Sequence, residues 1–334
     1  MNFFRRRPPL RTKAHVVEGK IIPLDGIDVL VADHCNIACR QCNHASPVLR
    51  KRNAEVEETV RAVAVLAEVM RPRHVKFMGG EPLLNPKLAE IIEGVRGTGI
   101  ADRYVLVTNG MLLGRMDERI WGLIDELEIS QYPGANLTDD FLAGIRARCE
   151  AHGVTYTRNA FPEFRRTFSS RRIQDPALVE RVFSACKIAN VWGCHAVHRG
   201  RLFRCPQSAR FPELVGMEGE EGVALTPRDS LRDDILAMIN GDTPLDACQS
   251  CVGTCGKKFA HDMVPRREWM EDLAIAPEDC IDYELLEQSE QLVRRLDDCK
   301  TPDHRIDRSA FKRALDKIGY VPRRMRKATY HRAP

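Results

Sequence analysis

The residues best suited to carry chemistry are the cysteines, of which there are 12 among 334 residues. Cys35, Cys39 and Cys42 have the spacing Cys-x3-Cys-x2-Cys. Three thiolates so close in sequence can hold one face of an iron–sulfur cubane and leave one iron without a protein ligand. A structural zinc site needs four closed ligands, and His34 or His44 would have to be the fourth. The spacing therefore predicts an iron–sulfur cluster, with a zinc knuckle as the alternative.

A second set of cysteines follows later in the chain: Cys186, Cys194, Cys205, Cys248, Cys251 and Cys255. Its Cys-x2-Cys pair at 248–251 is typical of metal binding. Residues 191–197 and 202–204 are predicted to form a β-hairpin that turns at Arg199-Gly200. Counting across this turn sets Cys194 opposite Cys205, and opposed strand residues have Cβ atoms about 5 Å apart. The set predicts a second metal centre, with zinc as the alternative to iron. Whether Cys194 or Cys255 is a ligand stays open.

The elements that must position these residues alternate between short apolar strands and amphipathic helices. Asn85 and Thr138 are predicted helix caps, and Pro86 suits a first helical position. Such alternation predicts a parallel sheet, open or curled into a barrel, with the chemistry at the carboxyl ends of the strands. The predicted strands are 27–31, 74–78, 104–107, 127–130 and 154–157.

The alternation stops near residue 180, where the cysteines become dense. A late amphipathic helix over about 281–298 places Leu285, Leu292 and Leu296 inward. The predicted organisation is a basic N-terminal segment over 1–24, a partial barrel over 25–175, an auxiliary-cluster domain over 176–281 and a C-terminal helix with a basic tail over 282–334.

Composition excludes several classes of protein. A hydrophobic content of 43% and a charged content of 29% are typical of a globular chain. There is no run of 18 apolar residues, so no transmembrane helix is predicted. The N-terminal arginines are not followed by an apolar segment, so we expect no secretory signal. The chain is therefore expected in the reducing cytoplasm, where disulfides are rare.

Charge is concentrated at the ends of the chain. Residues 1–13 hold five basic residues and no acid, and residues 301–334 hold ten basic residues against three acids. Since the net charge is only +4, the remainder is acidic. The basic stretch 323–327 could meet nucleic acid. Because no aromatic residues are interleaved to stack on bases, a solvated end is favoured over a nucleic-acid site.

Several motifs together resemble the radical S-adenosylmethionine (SAM) superfamily. The cysteine triplet follows the first predicted strand, Met78-Gly79-Gly80-Glu81-Pro82 ends the second and resembles the GGEP motif, and Thr108-Asn109-Gly110 ends the third and resembles the TNG turn. Ser130 matches the serine that often ends the fourth strand. The resemblance covers residues 25–160 in the family's order. Gln41 departs from it, because the family often has an aromatic residue there, and this implies altered shielding of the cluster.

The resemblance implies a fold and a set of cofactor contacts. The fold would be α/β, a partial (β/α)6 TIM-like barrel, with a [4Fe–4S] cluster whose open iron binds the amino and carboxylate groups of SAM. Gly79, Gly80 and Glu81 would receive the SAM ammonium. Ser130 would meet its ribose or carboxylate, and Asn109 would be a further cofactor-binding residue. An electron from the cluster would cleave SAM to methionine and a 5′-deoxyadenosyl radical, which abstracts hydrogen from the substrate.

A second resemblance concerns the later cysteines. The segment 200–205 fits the Gly-x4-Cys element of SPASM and twitch domains, in which an upstream cysteine, the hairpin cysteine and a later Cys-x2-Cys pair hold an auxiliary [4Fe–4S] cluster. This implies a small cysteine-rich SPASM/twitch-like domain with a β-hairpin. One auxiliary cluster is expected, because a second would need Cys280 or a side chain other than cysteine. Its candidate ligands are Cys186, Cys194, Cys205, Cys248 and Cys251, with Cys255 as the spare thiol.

The implied function is a radical SAM oxidoreductase or epimerase. Its reductant would be a protein such as flavodoxin or ferredoxin, and oxidation or epimerisation stays open, with Cys255 as the candidate hydrogen donor for the latter. Only 34 residues precede Cys35, too few for a leader-recognition domain. We therefore expect a small polar substrate, such as a sugar, an aminocyclitol or a natural-product intermediate. The alternatives are a maturase that modifies a peptide, and a non-catalytic iron–sulfur or zinc protein that binds nucleic acid.

Overall fold

A computed structural model describes residues 13–216 and 221–298, apart from the side chains of residues 294–298. The strands are β1 (His15–Val17), β2 (Lys20–Ile22), β3 (Ile27–Ala32), β4 (Val75–Gly79), β5 (Tyr104–Thr108), β6 (Glu126–Gln131), β7 (Thr155–Ala160), β8 (Glu163–Arg165), β9 (His195–His198), β10 (Arg201–Phe203), β11 (Val223–Ala224) and β12 (Lys258–Ala260). The helices are α1 (Val56–Val69), α2 (Leu88–Gly97), α3 (Asp139–Ala151), α4 (Pro176–Ala185), α5 (Pro206–Val215), α6 (Leu231–Asn240), α7 (Arg266–Leu273), α8 (Pro277–Cys280) and α9 (Tyr283–Asp298). Short 3-10 helices span Pro82–Leu84, Leu113–Arg115, Glu118–Gly122 and Asp246–Ser250, and a π-helical turn spans Ile188–Trp192.

The central sheet has the mixed α/β architecture that the alternation predicts. In the described residues its order is β11-β10-β9-β3-β4-β5-β6-β7, and β3 to β7 are parallel neighbours in chain order. All five predicted parallel strands are confirmed. The sheet is consistent with a partial TIM-like barrel, so the carboxyl ends of β3 to β6 lie along one edge.

The two faces of this sheet carry different side chains. On β4, Val75 and Phe77 are fully buried against the helices, whereas Lys76 alternates to the opposite, inner face. Helices α1, α2 and α3 cover the outer face, and residues such as Leu66 on α1 and Ile91 on α2 are fully buried there. Burying one such side chain stabilises the fold by about 1.5–3 kcal/mol. The inner face, which these three helices do not cover, carries the polar side chains described below.

The hairpin predicted for the second domain belongs to this same sheet. Strand β9 pairs in parallel with β3, with Ile27 opposite His195, and β10 pairs with β9 around the predicted turn, with Arg201 opposite His198. The predicted boundary at residues 175 and 176 therefore does not separate two sheets. The hairpin is also shorter than predicted, because residues 188–192 form the π-helical turn and Gly193, at φ +60°, ends it.

The cysteine-rich half adds a smaller apolar cluster that also holds the loop after Cys42. Ala45 and Val48 from that loop pack in it with Phe168, Phe211 and Trp269. Strand β12 pairs with β8. The predicted first and second domains are therefore joined by packing as well as by backbone pairing.

The predicted C-terminal helix is present, and the two basic ends lie outside the described residues. Helix α9 begins at Tyr283 and buries Leu285 and Leu292 as predicted. The side chain of Leu296 and both basic ends, over 1–12 and 299–334, lie outside the described residues. Among the helices that the structure describes, none is long and apolar enough to cross a membrane.

Candidate active site

The three cysteines of the triplet lie in the loop directly after β3, at the predicted edge of the sheet. Cys39 is buried, and Cys35 and Cys42 are partly exposed. The pKa of Cys35 is raised to about 12, mainly by burial and in part by a negative charge on Cys42. The pKa of Cys39 is raised in the same way by burial and by both neighbouring thiols. The three thiols are therefore close enough to repel one another as thiolates, and a bound cation would hold them ionised.

The backbone of the loop turns around Cys42. Gln41 and Ala45 have φ values of +51° and +54°, in the left-handed region that few non-glycine residues adopt. The amides of His44, Ala45 and Ser46 point to the Cys42 sulfur and lower its pKa against the stronger effect of burial. A sulfur that accepts backbone N–H groups is suited to carry charge as a metal ligand. This donor set, three cysteines in one loop, fits the [4Fe–4S] cluster that the spacing predicts.

The two glycines after β4 are required by close approach of the backbone. A Cβ atom on Gly79 would lie 2.3 Å from the oxygen of Ala32, and one on Gly80 would lie 2.0 Å from the oxygen of His34. Gly80 N donates to Ala32 O at 2.8 Å. The glycines thus fix the β4 loop against the cysteine loop, and no side chain of their own covers their carbonyl groups.

Glu81 has a different set of partners from the predicted one. Its carboxylate is fully buried and accepts hydrogen bonds from Thr108 Oγ1 at 2.6 Å, Asn109 N at 2.8 Å and Leu83 N at 3.1 Å. Burial raises its pKa, against these three donors, which lower it. The carboxylate therefore ties the loop after β4 to the turn after β5. Its predicted contact with the SAM ammonium stays a prediction.

Asn109 and Ser130 lie at the neighbouring strand ends, as predicted. Asn109 Nδ2 donates to Asn36 Oδ1 at 2.7 Å and lies 3.6 Å from Cys35 Sγ. Ser130 is near the end of β6, is 8% exposed and hydrogen-bonds to Tyr132. Strands β4, β5 and β6 thus each bring a predicted residue to the edge that carries the triplet.

Tyr132 is a residue of this site that the motifs did not single out. Its pKa is raised by burial and by the charges of Cys42, Cys39 and Cys35, so its hydroxyl lies beside the triplet. Its ring stacks on His261 with centroids 5.3 Å apart. The only sequence signal for it is its position directly after the fourth strand, two residues beyond Ser130.

The inner face of the sheet carries a polar chain below this edge. Lys76 Nζ donates to Glu128 Oε2 at 2.5 Å, and Asn159 Nδ2 donates to Glu128 Oε1 at 2.9 Å. All three side chains are at most 9% exposed. They come from β4, β6 and β7, and Glu128 lies two residues before Ser130 on the same face. The sequence signal for this chain is the presence of a charged residue, Lys76 or Glu128, inside each of two predicted buried strands.

A second buried polar group borders the triplet from the other side. Asp33 Oδ2 accepts from Arg199 Nη2 at 2.7 Å, Asp33 Oδ1 lies 3.0 Å from His198 Nε2, and Arg210 also donates to this carboxylate. Burial alone would raise the pKa of Asp33, but the His198 contact and the Arg210 charge hold it well below its usual range. Arg210 acts on Cys42 as well, since its charge lowers the pKa of that thiol. A buried ionised carboxylate thus joins β3 to the hairpin and to α5.

Four of the later cysteines come together from three separate segments. Cys186 follows α4, and Cys205 precedes α5. Cys248 lies in the 3-10 helix at 246–250, and Cys251 directly follows it. The pKa of Cys205 is raised to about 11, mainly by burial and in part by a negative charge on Cys186. The pKa of Cys251 is raised by burial and by charge on each of the other three. Four mutually close cysteines are a ligand set for either a [4Fe–4S] cluster or a tetrahedral zinc ion.

The remaining two candidates lie differently. Cys194 directly precedes β9, and its amide donates to Ile188 O at the π-helical turn. Its role as a ligand stays a prediction. Cys255 is fully buried in an apolar cluster with Val252 and Ile281, and burial raises its pKa to about 12. Charges on Cys186 and Lys187 also act on this thiol, and its predicted role as a hydrogen donor stays a prediction.

In the triplet and in the group of four, the thiols lie near one another but are not arranged around a single point. Within residues 13–216 and 221–293, no three His, Cys, Asp or Glu side chains are arranged to hold one metal ion. In a cubane each cysteine binds a different iron atom, so its ligands need not converge on one ion.

The C-terminal segment clamps the triplet loop. Trp269 Nε1 donates to Cys39 O at 3.2 Å, and Val264 N donates to Ala38 O at 2.9 Å. Arg40, inside the triplet, donates to Asp272 at 2.7 Å and to Glu268 at 3.0 Å. The loop that carries the thiols is therefore held from both sides, by the sheet edge and by α7.

Comparison with known proteins agrees with this placement. Residues 29–132 match the family model described as the radical SAM superfamily, a span from β3 to Tyr132. A GTP 3′,8-cyclase of Chlorobaculum tepidum is 32% identical over 119 residues, which are 36% of this chain and 34% of that protein. GTP 3′,8-cyclase 1 of Mycobacterium tuberculosis is 32% identical over 147 residues, 38% of this chain and 40% of that protein. The chain thus matches only a third to two-fifths of the length of these relatives.

Solved structures show a more distant likeness. The crystal structure of BtrN in complex with AdoMet and 2-DOIA aligns with a TM-score of 0.43 and 15% identity, over 69% of this chain and 94% of that chain. The structure of Streptococcus suis SuiB bound to S-adenosylmethionine aligns with a TM-score of 0.26 and 12% identity, over 42% of each chain.

Proposed function

We propose that this chain, whose residues 29–132 form a radical SAM domain, uses SAM to abstract hydrogen from a small polar substrate and oxidises it. The observation that carries the proposal is the meeting of Cys35, Cys39 and Cys42 with the β4 and β5 loops at one edge of the sheet. When bound there, the cluster and SAM supply the one-electron chemistry that produces a hydrogen-abstracting radical. An external reductant such as flavodoxin or ferredoxin provides the electron.

The residues around the triplet are assigned roles that follow from their contacts. Cys35, Cys39 and Cys42 hold the cluster. The carbonyl groups of Gly79 and Gly80 accept from the SAM ammonium, and Glu81 keeps their loop in place through its own hydrogen bonds. Asn109 orients the cysteine loop through Asn36. Ser130 and Tyr132 border the nucleoside end of SAM.

The substrate class follows from the inner face of the sheet. Lys76, Glu128 and Asn159 offer an ammonium, a carboxylate and an amide within a buried region next to the cofactor site. Hydroxyl and amino groups of a sugar or an aminocyclitol can exchange hydrogen bonds with all three. The three groups already bond to one another, and each keeps donor or acceptor capacity that a polar substrate can use.

A nucleotide is the second candidate substrate, because relatives that match about a third of this chain carry the name GTP 3′,8-cyclase. A triphosphate needs several cations that are free to bind it. Of the cations described near the triplet, Lys76 pairs with Glu128, and Arg199 and Arg210 pair with Asp33. Arg40, inside the triplet, pairs with Asp272 and Glu268. This pairing favours the sugar or aminocyclitol.

The four later thiols complete the proposal. Cys186, Cys205, Cys248 and Cys251 hold an auxiliary [4Fe–4S] cluster that accepts the electron released when the substrate radical also loses a proton and becomes a carbonyl. Oxidation is preferred to epimerisation because these four thiols offer an electron acceptor, whereas the candidate hydrogen donor, Cys255, is fully buried.

A substrate panel tests the proposed function. Anaerobically reconstituted protein is incubated with SAM, dithionite and either GTP or one of a series of aminocyclitols and sugars, and products are analysed by mass spectrometry. We expect substrate-dependent 5′-deoxyadenosine and a product two hydrogens lighter from a polyol or amino-polyol. Turnover of GTP alone, with a product of unchanged mass, would replace this proposal by the cyclase function. A Glu128→Gln variant should raise the KM of the accepted substrate, and the exposed Glu93→Gln variant should not.

A further inference from the structure

Two buried cations are chain neighbours of two of the four later thiols. Arg204 precedes Cys205 in the chain and is 4% exposed, and Lys187 follows Cys186 and is 5% exposed. A buried guanidinium or ammonium costs several kcal/mol unless it is paired with negative charge. The two positive charges therefore require negative charge in their surroundings.

The hydrogen bonds of Arg204 go to neutral groups. Nη1 donates to Met238 O at 3.0 Å and to Gly241 O at 2.5 Å, and Nη2 donates to Asn190 Oδ1 at 3.0 Å. The guanidinium carbon lies 4.9 Å from the centroid of the Phe183 ring. Its Nε is buried and has no hydrogen-bond partner within the described part of the chain. These contacts fix the guanidinium in place without neutralising it.

Neither cation has an ion pair with a carboxylate of the described residues. The one carboxylate whose charge acts noticeably on Arg204 among the described residues is Asp242. Its side chain is 85% exposed, and Lys13 Nζ lies 2.7 Å from its Oδ1. Water screens a carboxylate in that position. The negative charges that act on Arg204 are mainly those of Cys205, Cys248 and Cys186, and those that act on Lys187 are on Cys255 and Cys186. The charge that can compensate both cations from within the protein is therefore on the later thiols, with Cys186 common to both.

We infer that Arg204 and Lys187 raise the reduction potential of a cluster bound by Cys186, Cys205, Cys248 and Cys251, and so make this site an electron acceptor. One-electron reduction adds one negative charge to the site, and a fixed buried cation stabilises the reduced state more than the oxidised state. This inference rests on the proposed function, since it needs an iron–sulfur cluster at the four thiols. It assigns two residues outside the ligand set to the same oxidation reaction.

The test measures the auxiliary cluster alone. In full-length protein carrying Cys35→Ala, Cys39→Ala and Cys42→Ala, a redox titration followed by electron paramagnetic resonance gives the ratio of reduced to oxidised cluster at a fixed potential. With Arg204→Met added, we expect this ratio to fall about tenfold, which corresponds to 59 mV for one electron. Lys187→Met should lower it in the same direction, and Arg204→Lys should keep it within about threefold because the charge remains.

The controls separate failure of the inference from failure of the proposed function. The exposed Arg232→Met variant on α6 should leave the ratio unchanged. A four-iron cluster whose ratio is the same with and without Arg204→Met and Lys187→Met would overturn the inference alone. Zinc, or no iron, in the triple-alanine background would overturn the auxiliary cluster and the inference with it. If Arg204→Met prevents iron incorporation, Lys187→Met against Arg232→Met decides the question.

Discussion

At the scale of single residues, the site depends on buried carboxylates that accept hydrogen bonds from several loops. Glu81 illustrates this, because three donors from two loops converge on one carboxylate. The motif predicts that this residue is important, and the structure gives a physical reason that does not involve a ligand. Asp33 does the same on the other side of the triplet, where it joins β3 to His198 and Arg210.

Replacing Glu81 by glutamine should destabilise the fold. The amide oxygen can still accept from Thr108 and Leu83, but the amide nitrogen would face the N–H of Asn109, donor against donor. Leaving a buried group unsatisfied costs about 1–3 kcal/mol, which urea unfolding of Glu81→Gln should show. The exposed Glu93→Gln on the neighbouring helix should stay within about 0.5 kcal/mol of wild type. Equal stability of both variants would show that the carboxylate does not join the two loops.

His198 should make stability depend on pH. Its pKa is lowered to about 4, mainly by burial and in part by the charge of Arg210, while the hydrogen bond with Asp33 acts in the opposite direction. Between its unfolded pKa of about 6.5 and this value, the unfolded chain binds a proton that the folded chain does not, so stability is lost as the pH falls. The loss attributable to His198 is about 3 kcal/mol over this interval.

The measurement for His198 is urea unfolding at pH 7, 5.5 and 4 in wild type and in His198→Gln. The variant keeps an amide donor for Asp33 but has no titrating ring, so its stability should fall less steeply with acid. A slope equal to that of wild type would exclude His198 as a contributor.

At the scale of elements, the triplet loop is held by α7 as much as by the sheet. Trp269 is fully buried, packs in the apolar cluster with Ala45 and Val48, and donates to the carbonyl of Cys39. Arg40 adds ion pairs to the same helix. Helix α7 belongs to the cysteine-rich half, so this half contributes directly to the geometry of the first cysteine site.

A Trp269→Phe variant should loosen the triplet site. The phenyl ring keeps most of the packing, but the carbonyl of Cys39 loses its donor, at a cost of about 1–3 kcal/mol. We expect a chelator to remove iron faster from the triplet and at an unchanged rate from the four later thiols. Trp121→Phe is the matched control, because Trp121 is equally buried and its Nε1 has no partner among the described residues. Identical iron loss in both variants would contradict the clamp.

The sequence was a good guide to elements whose signal is local. The strands around Val75 and Leu127 follow from their apolar runs, and the Thr138 cap is confirmed because its hydroxyl accepts from Phe141 N. Regular helix α2 begins at Leu88, but the predicted cap residue still acts ahead of it, because Asn85 Oδ1 accepts from Lys87 N at 2.9 Å while its Nδ2 donates to Val31 O and Ala54 O. The pairing of β9 with β3 was not predictable, since no local pattern records which strand a hairpin joins.

The site shows the same division. Spacing alone placed Cys35, Cys39 and Cys42 in one loop, and strand order placed Gly79 and Asn109 beside it. The Lys76–Glu128–Asn159 chain and the Arg210–Asp33 pair were missed, because each charge finds its partner only through tertiary folding. Gly200 marked the hairpin turn correctly.

At the scale of the whole molecule, helix α5 connects the two groups of thiols. Cys205 lies at its start, and Arg210, one and a half turns later, binds Asp33 and acts on Cys42. Ten residues of helix span about 15 Å. A short rigid element thus fixes the two proposed clusters relative to each other.

Iron content should report both sites independently. Reconstituted wild type should hold about eight irons per chain, the triple variant of Cys35, Cys39 and Cys42 about four, and the quadruple variant of the later thiols about four, as two four-iron clusters require. Elemental analysis for iron and zinc measures this. Four irons in wild type with one zinc would make the later site structural.

The measurement that tests the central claim most directly is the formation of 5′-deoxyadenosine from SAM under dithionite. We predict that reconstituted wild type produces it and that Cys35→Ala/Cys39→Ala/Cys42→Ala does not, while Cys149→Ala, a buried core cysteine on α3, still does. Production by the triple variant at the rate of wild type would contradict the assignment of the triplet as the site of SAM cleavage.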